Sequence, residues 1–207
     1  MATSDIPDSF FERVDTSPDG EFYREPRLVQ HIDQVTIDAL TQWYREFLHA
    51  EADVLDLMSS WVSHYPSDLA LGRVAGLGMN AAELAANPRL TEHCVHDLNA
   101  VPELPYEDAA FDRATIAVSI QYLVRPVETM RSTARVLRPG GRICVAMSHR
   151  CFPTKAIRAF HQLPPRDRIR LVGAYLDLGG FEEVDFVDRS PPSGDPLWIV
   201  TGRTPEG

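Results

Sequence analysis

The sequence predicts one α/β domain built on a doubly wound sheet, and three observations lead to this prediction. Short apolar runs alternate with helical patterns over most of the chain. The run at residues 53–58 changes abruptly from apolar to small polar residues, as a buried parallel strand does where it opens toward a ligand crevice. The last two runs flank a proline-rich loop instead of a helix, which predicts an antiparallel pair at one edge of the sheet.

Length and composition fit this class. The chain has 207 residues, 44% of them hydrophobic and 24% charged, as in an ordinary globular domain. No apolar run approaches the roughly 20 residues that cross a bilayer, and the N-terminus has no secretory pattern. The three cysteines form no CxxC pair. We therefore expect a cytoplasmic protein with no membrane association and no metal site.

Charge is unevenly distributed along the chain. The net charge of -10 disfavours a nucleic-acid partner, because phosphate binding needs a basic surface. Residues 1–25 carry a net charge of -5 (seven acids, two arginines), whereas residues 149–170 carry +5 (six bases, one acid). Two interpretations stay open. The basic segment neutralises the acidic one, or Arg150 and Lys155 select a substrate with a carboxylate or phosphate.

We predict that residues 1–27 form an irregular acidic arm, because prolines and a glycine interrupt this segment repeatedly. Its aromatic residues indicate that the arm docks on another surface. The rest of the chain, residues 28–207, predicts a single domain that begins with a long helix over residues 28–48, where apolar residues recur at helical spacing.

The alternating pattern then continues to the end of the chain. A helix beginning at Pro126 stops before Pro139, and another beginning after Pro164 is closed by Gly179 and Gly180. A further helix is centred on the alanine-rich stretch at residues 81–86. The predicted strands are residues 53–58, 73–78, 93–97, 113–119, 142–147, 184–188 and 197–202.

Several phrases at these positions resemble one family. They are Val54-Leu55-Asp56-Leu57, Val74-Ala75-Gly76-Leu77, Asp97-Leu98-Asn99, Leu104-Pro105 with Phe111-Asp112, and Leu137-Arg138-Pro139-Gly140-Gly141. In this order and spacing they resemble the class I S-adenosylmethionine-dependent methyltransferases that act on small molecules. The resemblance covers residues 53–147 in detail. It implies a Rossmann-like sheet of seven strands in the order 3-2-1-4-5-7-6, with strand seven antiparallel.

The resemblance also implies where the cofactor would bind. Asp56 would lie near the methionine part of S-adenosylmethionine, and Asp97 would contact the adenine amine beside Leu98. The structural alternatives are a helix cap for Asp56 and a turn-stabilising role for Asp97. Ser119, after the fourth strand, falls where the family places methyl transfer.

The sequence departs from the family at two places. The glycine-rich turn after the first strand is here Met58, Ser60 and Val62, without a glycine. Ser59 and Ser60 either replace backbone contacts to the cofactor or act as N-caps. The acid that holds the ribose hydroxyls is here Gly78, so we expect the backbone of Gly78 and Met79, or the side chain of Asn80, to take over that role.

The substrate side is predicted from residues after the fourth and fifth strands. Gln121 and Tyr122 are candidate acceptor contacts, although Tyr122 fits core packing equally well. His149 is the candidate general base, or a structural histidine. Arg150 and Lys155 complete the candidate acceptor site.

The sequence thus predicts an enzyme that moves the methyl group of S-adenosylmethionine to a small acceptor, with S-adenosylhomocysteine as the product. The main alternative is a non-catalytic interaction or regulatory protein that has lost cofactor binding, which the missing glycines favour. A nicotinamide oxidoreductase is disfavoured, because no Gly-x-Gly-x-x-Gly follows the first strand. The acceptor and the oligomeric state are not predicted.

Overall fold

A computed structural model of the chain describes residues 6–207. After the arm, helices separate only some of the strands, since none lies in residues 58–73 or 96–110. Short 3-10 turns lie at Asp8–Phe11 and Ile120–Tyr122. The helices are α1 (Asp19–Phe22), α2 (Gln34–Phe47), α3 (Ala81–Ala86), α4 (Pro126–Val136), α5 (Arg158–Gln162) and α6 (Pro165–Leu178). The strands are β1 (Val54–Leu57), β2 (Val74–Gly78), β3 (Glu92–Val95), β4 (Phe111–Ala117), β5 (Leu137–Met147), β6 (Glu182–Asp188) and β7 (Trp198–Arg203).

The seven strands form one sheet in the order β3-β2-β1-β4-β5-β7-β6. Strands β1 to β5 pair in parallel, whereas β7 runs antiparallel to both β5 and β6. The predicted order and the antiparallel seventh strand are therefore confirmed. Strand β1 pairs in parallel with β2 on one side and with β4 on the other. The carboxyl ends of these three strands therefore lie at the same edge of the sheet.

Helices cover both faces of the sheet, which explains why strands β1 and β2 are buried along their whole length. Leu55 and Leu57 of β1 pack into the layer that contains Val172 of α6, and Val54 packs into the layer that contains Leu40 of α2. All four residues of β1 and all five of β2 are buried. Strands buried on both faces are typical of doubly wound sheets.

The helix predicted over residues 28–48 begins later than expected, at Gln34. Asp33 is its N-cap, and the carboxylate accepts a hydrogen bond from the backbone N–H of Thr36 at 2.9 Å. The preceding residues 28–33 are not helical, and the indole N–H of Trp61 donates to the carbonyl oxygen of Val29 at 3.1 Å. The prediction extended the helix to residue 28 because it used only the spacing of apolar residues. In the structure, tertiary contacts hold residues 28–33 in a non-helical conformation.

Strand β5 begins earlier than predicted, at Leu137 instead of residue 142. Leu137 pairs with Phe111, and the register then shifts before Arg113 pairs with Arg142. This bulge accommodates the Pro139-Gly140 turn signal inside a strand, with Gly140 at a φ of +72°. The short helices α1 and α5 were not predicted.

The acidic arm docks on the basic segment, as one of the two interpretations of the charge pattern predicted. Asp19 accepts hydrogen bonds from Arg13 (2.9 Å) and Asn99 (2.7 Å) and lies 3.0 Å from the ammonium group of Lys155. Nearer the surface, Arg158 pairs with Glu12. Both Asp19 and Lys155 are buried. We call the cluster around Asp19 the arm latch; its residues are Arg13, Asp19, Asn99 and Lys155.

None of the helices within residues 6–207 combines the length and the apolar character that crossing a membrane requires.

Candidate active site

A cavity of about 330 Å³ lies over the carboxyl ends of β1, β2 and β4. In open α/β sheets this edge is where ligands bind. Tyr23 and Arg27 of the arm, and His31 just after it, line the cavity together with residues of the sheet edge. Ten residues were predicted to bind cofactor, and all of them line this cavity: Asp56, Met58, Ser59, Ser60, Gly78, Met79, Asn80, Asp97, Leu98 and Ser119.

The turn after β1 keeps a left-handed backbone although it lacks glycine. Met58 has a φ of +54°, a conformation that side-chain-bearing residues rarely adopt. The N–H of Ser59 then donates to the carbonyl oxygen of Leu77 at 2.8 Å, which holds the turn against the end of β2. The glycine-free turn is therefore compact and bound to the sheet.

Asp56 stabilises this turn from within. Its carboxylate accepts hydrogen bonds from the hydroxyls of Ser59 and Ser63, each at 2.6 Å, and from Thr115 at 3.3 Å. Burial raises the pKa of Asp56, and these hydroxyls partly oppose the rise. The carboxylate is largely occupied by protein donors, so its observed contacts are those of a turn-holding residue at the cavity floor.

Gly78 has a steric reason to be glycine. A Cβ at this position would overlap the carbonyl oxygen of Ser59. The close approach of the β1 turn thus fills the space where a side chain after β2 would begin. The two departures from the family pattern, a turn without glycine and a missing acid, are therefore one structural feature.

Asn80 does not have a free side chain for a ligand. Its amide oxygen accepts from the N–H groups of Ala82 and Glu83 and so caps α3. Its amide nitrogen donates to the carbonyl oxygens of Tyr23 and Arg24 in the arm, at 2.9 and 3.0 Å. These contacts use both amide hydrogens, so the predicted role of the Asn80 side chain in holding a ribose needs correction.

Glu83 is a cavity residue that the sequence analysis missed. It is buried, lines the cavity and accepts two hydrogen bonds, from the hydroxyl of Ser60 (2.5 Å) and the backbone N–H of Arg27 (2.7 Å). The signal was present in the sequence, because Glu83 lies three residues after the N-cap Asn80. That spacing is also typical of an ordinary helix cap, so it did not indicate a ligand.

On the β3 side, Asp97 and Leu98 form one wall. One carboxylate oxygen of Asp97 accepts from the backbone N–H groups of Asn99 (2.9 Å) and Ala100 (3.2 Å), which fixes the turn. Its other oxygen accepts no protein hydrogen bond from the described residues. Leu98 is buried and apolar. Turn stabilisation and ligand contact are compatible here, since they use different oxygens.

The opposite wall is aromatic. Phe152 stacks on Tyr122 at a centroid distance of 5.8 Å, and it makes edge contacts with His31 (5.2 Å) and Tyr23 (6.4 Å). All four residues line the cavity. The hydroxyl of Tyr122 accepts from the backbone N–H of Phe152 at 2.8 Å, so core packing and cavity lining coincide at Tyr122. Phe152, Tyr23 and His31 were missed by the sequence analysis.

Three predicted acceptor-side residues need correction. Gln121 is buried outside the cavity lining, and its amide donates to the carbonyl oxygens of Val118 and Arg150. His149 also lies outside the lining and faces Asp195 at 3.1 Å. Lys155 is fully buried in the arm latch. Each side chain contacts at least one protein group that is distant in the sequence.

Arg150, which was predicted to contact the acceptor, lines the cavity. Its Nε donates to the carboxylate of Asp195 at 2.9 Å, and 56% of its side chain is exposed. The imidazoles in the cavity lining are His31, His64 and His96. Burial lowers the pKa of His64 to about 4, with a further contribution from His31, so its ring is uncharged near neutral pH.

Comparison with known proteins agrees with this geometry. The model of the family described as "Methyltransferase domain" matches residues 59–145. An O-methyltransferase, rstn1, from Aspergillus nomiae is 32% identical over 98 residues, or 44% of either chain. A demethylmenaquinone methyltransferase from a Mycobacterium species is 34% identical over 113 residues, or 47% of either chain. The matches span less than half the length of these curated relatives.

Solved structures share the fold at low sequence identity. The [4+2]-cyclase SpnF superposes with a TM-score of 0.67 at 18% identity, covering 91% of this chain and 92% of that one. An S-adenosylmethionine-dependent methyltransferase from Mesorhizobium loti gives a TM-score of 0.59 at 18% identity, covering 81% and 99%. These similarities concern the fold alone.

The strand order and the cavity at the sheet edge agree with the sheet and the ligand edge that the resemblance to class I methyltransferases implied. Over residues 59–145 the chain is similar to the methyltransferase-domain family.

Proposed function

We propose that this protein transfers a methyl group from S-adenosylmethionine to a small-molecule acceptor with a planar body and a negative charge. The observation that supports the proposal is the cavity itself, whose lining includes the ten residues predicted to bind the cofactor as well as the aromatic wall. The family match over residues 59–145 supports the same activity. The fold alone does not specify it, since a neighbour of the same fold is a cyclase.

The residues present fit the cofactor. The hydroxyl of Ser119 lies at the cavity edge, buried, with no hydrogen-bond partner within residues 6–207, as expected of a group that a ligand would satisfy. Asp97 and Leu98 offer an acceptor and an apolar wall to an adenine ring. Met58 keeps the left-handed turn. The bound cofactor would supply an activated methyl group on a sulfonium centre.

The protein's contribution to such a transfer is alignment. An in-line displacement needs the acceptor atom to lie behind the methyl carbon, and holding two reactants in that arrangement contributes up to about 7–11 kcal/mol in favourable cases. Tyr23 and Arg27 of the arm, with His31, line the cavity and would reduce the access of water to the bound reactants. An ionised acceptor oxygen would need no base. His31, in contact with Phe152, is the cavity imidazole at the aromatic wall.

Two features support a planar, anionic acceptor. Phe152 and Tyr122 offer flat apolar surfaces on which an aromatic ring stacks favourably. Arg150 brings a guanidinium group to the same end of the cavity, oriented by Asp195, and guanidinium groups bind carboxylates with two parallel hydrogen bonds. The curated relatives include an O-methyltransferase and a demethylmenaquinone methyltransferase, which supports an oxygen or ring-carbon acceptor.

S-adenosylhomocysteine is expected to raise the thermal unfolding midpoint. At about 100 times its dissociation constant, a ligand specific for the native state adds about 2.7 kcal/mol. For a domain of this size that corresponds to roughly 5–10 °C. Differential scanning fluorimetry with NADH as the control ligand makes the measurement. A shift with neither ligand at millimolar concentration would refute the proposed function and favour a non-catalytic interaction protein.

The acceptor class is tested by Arg150→Gln with paired probes. Hydroxybenzoates are the anionic probes and their methyl esters the neutral ones. We expect the substitution to raise the KM of the acids at least about tenfold, as loss of a charge-assisted hydrogen bond does, and to leave the esters nearly unchanged. Arg166→Gln, an exposed change in α6, is the control. Equal effects on acids and esters would contradict the anionic acceptor.

A further inference from the structure

We propose that Glu83, on α3, is the residue that binds the ribose hydroxyls of the cofactor, in place of the acid that the chain lacks after β2. This inference rests on the proposed function. It assigns a ligand to a buried carboxylate that no sequence pattern singled out.

Glu83 is in the right place for this role. It lies in the first turn of α3, directly after the end of β2, and it lines the cavity while keeping only 9% of its surface exposed. Buried carboxylates are costly unless donors satisfy them. Glu83 has two protein donors, the hydroxyl of Ser60 on one oxygen and the N–H of Arg27 on the other.

Two donors do not exhaust the carboxylate. Its two oxygens provide about four lone-pair sites, so roughly one site on each oxygen stays open. The 2′ and 3′ hydroxyls of a ribose are adjacent donors that match such a pair. A carboxylate accepts both hydroxyl hydrogens, whereas the backbone carbonyl of Gly78 offers a single acceptor atom.

The ordinary explanation for an acid at this position is a capping box, and the structure departs from it. In a capping box the acid three residues into the helix accepts from the backbone N–H of the N-cap residue. Here Asn80 caps α3 through its own amide oxygen. Among the described residues, no hydrogen bond joins Glu83 to the N–H of Asn80. The carboxylate of Glu83 accepts instead from Ser60 in the β1 turn and from Arg27 in the arm. The partners of Glu83 are therefore residues of the cavity lining and not the end of its own helix.

The steric contact at Gly78 explains why the ribose-binding acid cannot be at the end of β2. The carbonyl oxygen of Ser59 occupies the space that a Cβ at position 78 would need. With the compact β1 turn in place, no side chain can project from the end of β2. Glu83, in the first turn of α3, is the next carboxylate along the chain, and it lines the cavity.

The test is a comparison of two ligands against two proteins. Isothermal titration calorimetry measures the dissociation constants of S-adenosylhomocysteine and of its 2′,3′-dideoxy analogue. We expect wild type to bind the complete ligand at least about tenfold more tightly, since hydrogen bonds to a charged group contribute about that factor each. In Glu83→Gln the ratio of the two constants should fall at least about fivefold, because Gln keeps one acceptor oxygen and loses the charge.

A ratio is used because a structural role does not change it. If Glu83 only fastens the arm to the turn, Glu83→Gln weakens both ligands equally, the ratio stays at its wild-type value, and the proposal is wrong. Glu103→Gln, an exposed change of the same charge outside the cavity lining, is the matched control and should leave both constants unchanged. If wild type binds neither ligand, the proposed function itself fails, and the inference fails with it.

Discussion

Lys155→Met is expected to lower the free energy of unfolding by about 3 kcal/mol, which corresponds to roughly 6–12 °C in the thermal midpoint. The ammonium group is fully buried. It donates to the carbonyl oxygen of Ser17 at 2.7 Å and lies 3.0 Å from Asp19 and 3.4 Å from Asp15. Removing one partner of a buried ion pair leaves the other charge uncompensated, and such changes typically cost about 3–5 kcal/mol. Arg13 remains on Asp19, so the lower end applies.

Arg158→Met is the matched control. Arg158 also joins the arm to the domain, through Glu12, but both of those side chains are about half exposed. Exposed ion pairs contribute about 0–1 kcal/mol, so this variant should unfold within a few degrees of wild type. Chemical denaturation of both variants gives the two free energies. Equal losses would show that burial of Lys155 is not what makes the arm latch stable.

The arm latch should also weaken in acid. Burial raises the pKa of Asp19 and is the largest single influence, but the hydrogen bonds from Arg13, Asn99 and Lys155 together outweigh it, so the pKa lies below the ordinary value of 3.8. A lowered pKa means that the stabilisation is fully present above 3.8 and is lost as the pH falls through the folded-state value. In Asp19→Asn this acid-dependent loss should be smaller than in wild type.

The second large effect is expected for Gly78→Asp, the substitution that restores the acid of the family pattern. We expect it to lower the free energy of unfolding by about 3 kcal/mol or more and to weaken, not improve, the binding of S-adenosylhomocysteine. The new Cβ would overlap the carbonyl oxygen of Ser59, and overpacking of a close contact typically costs about 1–3 kcal/mol. A second carboxylate near Glu83 adds like-charge repulsion inside a buried space.

Gly20→Asp is the control for the chemical change alone, because a Cβ at Gly20 meets nothing within 4 Å. It should be close to neutral in stability. Thermal unfolding and calorimetric titration of both variants separate the two expectations. A Gly78→Asp protein that is as stable as wild type and binds cofactor more tightly would mean that the β1 turn is free to move away from β2.

The sequence by itself determined the sheet. Strands β1 and β2 are apolar except for Asp56, and strands buried on both faces are typical of parallel α/β sheets that helices cover on both sides. The loop between the last two strands is too short for a crossover helix, which makes β7 antiparallel. These patterns are local or repeat along the chain. The ten cofactor residues came from the resemblance, and the common edge of the parallel strands brings them together at one cavity.

The tertiary structure decided what each polar side chain does there. Lys155, His149 and Gln121 follow strands whose ends face the cavity, but each finds a protein partner that is distant or unremarkable in the sequence. Glu83 has the spacing of a helix cap and instead joins the β1 turn to the arm. Hydrogen-bond partners are chosen by proximity after folding, when burial makes every unpaired donor or acceptor costly. The spacing of residues in the sequence predicts helices and strands. It does not predict which distant group forms a hydrogen bond with a buried side chain.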